Sequence, residues 1–284
     1  MCRHLAYLGP PLPLADLITR PASGLYEQSW APRRQRYGTV NADGFGLGWY
    51  PPTDSGAEQA PARYRRAVPI WADPNLPDLT RAIHSTGVLA AVRDATEGTA
   101  QDETAAAPYA DGRWLFSHNG AVPDWQRLPD DLGVPMAATD LLGLEARCDS
   151  ALLWALLARW LRAGKPPEVA LAALASRTGG IRPGARLNFL LTDGRTVFAT
   201  RCGDTLWYRS GAQSVRVASE PDAGPDGSGD GSGDGDGDGE SAAAAGWQEV
   251  PDDSLLVATA TTVRTVPLVP ATEPTQATER IPIT

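Results

Sequence analysis

Two helical segments stand back to back in the middle of a chain whose other apolar runs read as strands. In CDSALLWALLARWLRAGKPP, Leu152, Leu153, Leu156, Leu157, Trp160 and Leu161 form one broad apolar stripe, the 3.6-residue period of an amphipathic helix. Asp149 or Ser150 suits its N-cap, Arg159 and Arg162 fall in its last turns, and Gly164 with Pro166 ends it. PEVALAALASRTGG repeats the pattern as far as Gly179. Ahead of this pair, HLAYLG, residues 87–93 (GVLAAVR) and residues 113–120 (RWLFSHNG) read as strands, with short helices at 12–19 and around Leu76–Ile83. Behind it, RLNFLLTDGRTVFATRCGDTLWYRS reads as a meander of three strands, turning at Asp193–Gly194 and at Gly203–Asp204. SVRVAS adds a strand, and residues 253–264 add another. Strands, a helix pair and strands again, without regular βαβ alternation, define an α+β fold with helices packed on antiparallel sheets.

The stretch NADGFGLGWY alternates Phe45, Leu47 and Trp49 with glycines. Glycines inside a strand mark the close approach of another backbone or of a ligand. Much of the net charge of -9 is concentrated near Asp222–Glu240. This Gly/Asp/Ser stretch, at about 220–245, cannot bury a core. Asp234, Asp236 and Asp238 imitate the opening of a calcium loop, but the twelfth position is Ala245 and no helices flank it. The segment therefore reads as a disordered insertion within a single domain spanning 2–284, with a flexible tail from about 270.

Several classes are set aside. Of the 25 basic residues only Lys165 is a lysine, and no basic patch marks a nucleic-acid partner. The longest apolar run, Ala151–Leu161, is too short for a membrane and contains Arg159. Pro10, Pro11 and Pro13 interrupt any secretory leader. Three cysteines make no disulfide framework, and none has zinc spacing. The expectation is a cytoplasmic protein with no membrane or nucleic-acid partner, no metal and no cofactor.

Four short motifs carry chemistry. Cys2 directly follows Met1; if Met1 is removed, one residue carries both a thiol and an α-amine, whose pKa of roughly 8 makes it a usable base. Taken alone, it reads as a chance cysteine at a frayed end. In FSHNG, the Asn119 amide and the Gly120 N–H can form an oxyanion hole, or the pair can be a plain Asn-Gly turn. In VRDATEG, Arg93 can pair with a carboxylate, assisted by Thr96, or close a structural ion pair. Asp149 can face an ammonium group or cap its helix. His118 reads as packed or hydrogen-bonded rather than as a base.

MC, VRDATEG, FSHNG and CDSALLW, in that order, resemble the class II glutamine amidotransferases, a family of N-terminal nucleophile hydrolases. NADGFGLGWY narrows the resemblance to stand-alone members. The resemblance runs from Cys2 to about Tyr208 and resumes beyond the acidic insertion. It implies a four-layer αββα sandwich, two antiparallel sheets between helix layers. It also implies Cys2 as nucleophile, Asn119 and Gly120 as oxyanion hole, and Arg93 and Asp149 as clamps for a glutamyl carboxylate and ammonium. The departures are Asp94 and Glu97 flanking Ala95–Thr96, and AAPY at 106–109 ahead of the HNG strand. The implied activity is hydrolysis of a small-molecule γ-glutamyl amide, with γ-glutamyl-hercynylcysteine S-oxide of ergothioneine biosynthesis as substrate and no protein partner required. The alternative is a subunit supplying ammonia to a synthase.

Overall fold

The computed structural model of the chain describes residues 2–51, 60–96, 98–223 and 246–268. In chain order the strands are β1 (Arg3–Pro13), β2 (Phe45–Trp49), β3 (Ala62–Arg66), β4 (His84–Val92), β5 (Tyr109–Asp111), β6 (Trp114–Ala121), β7 (Arg186–Thr192), β8 (Val197–Arg201), β9 (Trp207–Ser210), β10 (Val215–Ala218), β11 (Gln248–Glu249), β12 (Ser254–Ala258) and β13 (Val263–Pro267). The helices are α1 (Ala15–Ile18), α2 (Leu76–Ala82), α3 (Leu128–Asp131), α4 (Ala138–Leu142), α5 (Asp149–Arg162) and α6 (Pro167–Ile181).

The strands form two antiparallel sheets, ordered β11-β9-β10-β1-β4-β2-β3 and β13-β12-β8-β7-β6-β5. Three apolar layers bind them. Between the sheets lie Ala6, Leu8, Leu89, Leu115, Leu190 and Val217. Outside the first sheet, Leu5, Tyr7 and Val92 pack with Leu17, Ile18 and Leu76 from α1 and α2. Outside the second, Phe116 and Phe189 pack with Leu152, Leu153, Leu156 and Leu171 from α5 and α6. This is the four-layer αββα sandwich expected from the sequence. Residues of β1 alternate between two buried layers, so the strand is apolar on both faces. Its register with β4 shifts between Leu8 and Leu12, which accommodates Pro10 and Pro11.

Four expectations are corrected. The meander is broken: β7 and β8 pair in the second sheet, but β9 pairs with β10 and β11 in the first. Gly203–Asp204 is thus a crossover between sheets, not a hairpin. Asn188 sustains it: its Nδ2 donates to the carbonyls of Asp204 (2.9 Å) and Thr205 (3.2 Å), and its Oδ1 accepts from the Cys202 N–H (2.9 Å). Residues 253–264 hold most of a hairpin, β12–β13, rather than one strand. The first helix shrinks to α1 because Leu12 and Pro13 still pair with Ser85 and His84. The acidic insertion begins later than 220, because Glu220 and Asp222 are buried. Asp222 pairs with Arg216 at 3.1 Å, and its carbonyl accepts from Trp247 Nε1. The remainder of that insertion, including Asp234–Asp238, and the tail from about 270 lie outside the described residues. Among the described residues no helix is long and apolar enough to cross a membrane.

The glycine-rich strand has its explanation in packing. A Cβ on Gly46 would lie 2.1 Å from the Ala107 carbonyl oxygen, and one on Gly48 would lie 2.8 Å from Pro108 and Leu115. The approaching partner is therefore the chain's own 106–108 segment. Gly46→Ala is expected to cost about 1–3 kcal/mol, because backbone must move. Gly179→Ala, in α6 with its nearest neighbour 3.8 Å away, is expected to gain up to about 1 kcal/mol. Urea unfolding of the two variants checks both signs.

Candidate active site

Pleat and register bring the site together at one end of the sandwich. Antiparallel pairing sets Arg3 opposite Val92, so the next rung outward sets Cys2 opposite Arg93. Ala6 and Leu8 face the second sheet, and side chains alternate along a strand, so Cys2 and His4 face it too. On β6 the same alternation turns Leu115, Ser117 and Asn119 toward the first sheet. The two faces meet in two layers. His4 Nδ1 bonds Ser117 Oγ at 3.1 Å, and one pleat outward the Cys2 backbone nitrogen donates to Asn119 Oδ1 at 3.3 Å.

Asn119 is fully buried, yet its Nδ2 has no partner among the described residues. A buried donor left unsatisfied costs roughly 1–3 kcal/mol, and this one lies on the residue that touches Cys2. Gly120 follows. A Cβ there would sit 1.9 Å from the Arg186 carbonyl oxygen, so only glycine fits and β6 and β7 approach closely at this point.

Arg93 is 7% exposed. Its Nη2 donates to Thr99 Oγ1 (3.0 Å) and to the Ala100 carbonyl (2.8 Å), while its buried Nη1 has no partner among the described residues. Half of the fork is anchored and half is available. Asp43 steadies the backbone here: its N–H donates to the Arg93 carbonyl (2.9 Å) and its carboxylate accepts from the Ala95 N–H (2.7 Å). The Ala100 N–H donates to the Arg147 carbonyl (3.2 Å), which ties this loop to the start of α5. Thr96 is exposed; its carbonyl accepts from the Thr99 N–H and hydroxyl. Thr99 thus supplies the hydroxyl that reaches Arg93.

Asp149 is the first residue of α5 and not its N-cap, which is Cys148. Its carboxylate turns back to accept the Val122 N–H (3.0 Å) and the Ser150 N–H (2.8 Å). His118 Nδ1 bonds Ser150 Oγ (3.0 Å), and its Nε2 donates to the Arg186 carbonyl (2.9 Å). His118 therefore joins the helix bearing Asp149 to the second sheet, in the hydrogen-bonded role expected of it. Tyr109 and Trp114 belong to the helix-side core.

Burial pushes the Cys2 thiol above its ordinary pKa and Asp149 pushes the same way; the chain's amino terminus, the Arg93 charge and the Asp94 backbone pull it down. The net rise favours the thiol over the thiolate, so nucleophilic attack calls for a base. His4 cannot serve: burial, with His118 and Arg3 nearby, lowers its pKa to about 3. The Cys2 nitrogen is a peptide donor while Met1 is attached, and becomes a base only as a free α-amine.

Sequence reasoning passed over Thr99, Asp43 and the His4–Ser117 layer. Asp43 lies within NADGFGLGWY, where the alternation of apolar residues with glycines draws attention to other positions. A polar pair facing across two sheets leaves no local pattern to find.

These residues gather at one end of the central strands of the two-sheet sandwich. The chain matches the class-II glutamine amidotransferases over residues 23–216 and belongs to that family. It is 39% identical over 259 residues to the gamma-glutamyl-hercynylcysteine sulfoxide hydrolase of Mycolicibacterium smegmatis, covering 90% of this chain and 95% of that protein. The protein of the same name from Mycobacterium tuberculosis (strain CDC 1551 / Oshkosh) is 40% identical over 222 residues, covering 78% and 85%. The solved glutamine aminotransferase class-II domain protein of Silicibacter pomeroyi shares the fold, with a TM-score of 0.62 at 23% identity over 95% of this chain and all of that one.

Two measurements probe the site. If the unpartnered Asn119 Nδ2 is an oxyanion donor, as the resemblance implies, Asn119→Ala is expected to lower kcat by roughly 100- to 1,000-fold with little change in KM. His4 has a folded pKa below its unfolded one. The unfolded chain alone binds that proton between about pH 6.5 and about pH 3, so stability is fully present above the upper limit and falls with acidification. The expected slope is roughly 1.4 kcal/mol per pH unit, shallower in His4→Gln, in urea titrations between neutral and mildly acid pH.

Proposed function

We propose that the protein hydrolyses a γ-glutamyl amide through a thioester on Cys2 and releases glutamate. The observation that carries this reading is the contact of the Cys2 nitrogen with Asn119 Oδ1, beside the buried, unpartnered Asn119 Nδ2. With Met1 removed, that nitrogen is a free α-amine. The amine accepts the thiol proton as sulfur attacks the δ-carbonyl, and the resulting oxyanion is held by Asn119 Nδ2 and the Gly120 N–H. Collapse breaks the C–N bond, and the Cys2 ammonium returns its proton to the leaving amine. Water then attacks the thioester with the α-amine as base; the C–S bond breaks, glutamate departs and the thiol is restored.

The glutamyl head group is held by opposite charges. Its α-carboxylate takes the free Nη1 side of Arg93, and its α-ammonium faces the Asp149 carboxylate, with Thr96 at the rim of the loop between them. The identity and coverage of the mycobacterial relatives support γ-glutamyl-hercynylcysteine S-oxide as the substrate, yielding hercynylcysteine S-oxide. This reaction is complete with water and needs no partner to receive ammonia.

Intact-mass analysis after incubation with diazo-oxo-norleucine is expected to show loss of Met1 and one adduct on Cys2, absent in Cys2→Ala. Glutamate release from γ-glutamyl-hercynylcysteine S-oxide is expected to exceed release from glutamine by at least about tenfold in kcat/KM. Active enzyme retaining Met1 would overturn the mechanism, and a preference for glutamine would overturn the substrate.

A further inference from the structure

Strand order divides the mouth of the sandwich into two flanks. In the first sheet β1 lies between β4 and β10; in the second, β7 lies between β6 and β8. Across the layers β4 packs on β6, and β1 on β6 and β7. Arg93, at the end of β4, and Asp149, bonded to the residue after β6, therefore share one flank of Cys2. The opposite flank is formed where β7 begins and β8 ends, at Arg186 and Asp204.

Arg186 is built into that flank rigidly. Its carbonyl accepts from His118 Nε2 and packs on Gly120. Its Nε donates to Asp204 at 3.2 Å; Asp204 is 3% exposed and is itself fixed through Asn188. The Tyr37 ring covers one face of the guanidinium, 4.4 Å from its centroid. Tyr37 belongs to a segment tied to neighbouring parts of the chain, since Gln35 bonds Arg3 (3.2 Å) and Asn41 (3.0 Å) and a Cβ at Gly38 would lie 2.2 Å from the Asp94 carboxylate. Among the described residues Asp204 is the one hydrogen-bonding partner of the Arg186 side chain, through Nε. The Nη groups are thus uncommitted among the described residues, while the backbone carbonyl of the same residue lies against the glycine of the proposed oxyanion hole.

We propose that Arg186, oriented by Tyr37 and Asp204, binds the α-carboxylate of the leaving amine and so selects γ-glutamyl amides of α-amino acids over glutamine. The inference rests on the γ-glutamyl hydrolase reading. With the glutamyl head held on the Arg93/Asp149 flank and its carbonyl at Cys2, the leaving nitrogen points to the Arg186 flank. In an amide made with an amino acid, a carboxylate lies one carbon beyond that nitrogen. Glutamine has only hydrogens there. A guanidinium on this flank, committed through Nε alone, would distinguish the two by a charge-assisted, bidentate contact.

A matched pair of substrates isolates this contact: γ-glutamyl-S-methylcysteine S-oxide, and its decarboxylated counterpart, the γ-glutamyl amide of 2-(methylsulfinyl)ethylamine. The wild-type enzyme is expected to favour the first by about tenfold or more in kcat/KM, mainly through KM. In Arg186→Met the preference is expected to collapse toward unity; in Arg186→Lys, which keeps the charge opposite Asp204, part of it remains. Equal losses on both substrates in Arg186→Met, with the preference kept, would mark a merely structural residue and overturn the proposal. So would a wild-type enzyme without preference, while leaving the hydrolase reading intact. A wild-type enzyme that releases glutamate from neither substrate overturns both.

Discussion

The site depends on one constraint, the pleat shared by two strands that face each other across the sandwich. Side chains on β1 and β6 alternate between the inter-sheet layer and the outer layers, so position along the strand decides which residues meet. Cys2 and Asn119 meet because His4 and Ser117 meet one step deeper, and those meet because apolar residues fill the steps below. A slip of one residue in β6 would send Asn119 toward the helices and His118 toward Cys2. The buried His4–Ser117 bond makes such a slip costly, since it would leave further polar atoms in the apolar interior. Neutral His4 is thus a spacer between the dry core and the chemistry.

The mouth is also where the molecule leaves hydrogen-bonding capacity unused. Arg93 Nη1 and Asn119 Nδ2 are buried donors without partners among the described residues. Ordinary interiors satisfy nearly all such groups. Here each belongs to a side chain fixed at its other end: Arg93 by Thr99 and Ala100, Asn119 by the Cys2 nitrogen. Donors held in place before a ligand arrives need no reorganisation when charge develops beside them, which is where electrostatic stabilisation is most effective. The cost to folding and the benefit to binding come from the same atoms.

Much of this architecture was legible in the chain. The stripe from Leu152 to Leu161 located α5, the short apolar runs in HLAYLG and RWLFSHNG located β1 and β6, and the order of elements gave the α+β class. Partners were harder to read than elements. The 3.6- and 2-residue periods report which face of a segment is buried, not which segment covers it. Hence β9 left the expected meander for the other sheet, held by Asn188, whose role depends on the Asp204 and Thr205 carbonyls arriving from a crossover. Cys2, Asn119, Arg93 and Asp149 stood out because their chemistry is local to short motifs. Thr99 did not, because a threonine near a glycine has no signal of its own. Asp149 looked like a helix cap because a carboxylate at a helix start usually is one. Only the backbone of Val122, 27 residues earlier, shows that the carboxylate is turned elsewhere.

The place of β1 has a consequence for the order in which the molecule can be assembled. The first strand of the sandwich in chain order is a central one, and its two neighbours are β4, near residue 90, and β10, at Val215–Ala218. Neither edge of β1 can be closed by anything nearby in the chain, so its burial waits on long loop closures. Until Ala218 has been made, the segment bearing Cys2 lacks one of its walls. Completion of the first sheet is therefore a late event, and the Cys2 segment gains its full surroundings only when parts of the chain distant in sequence come together.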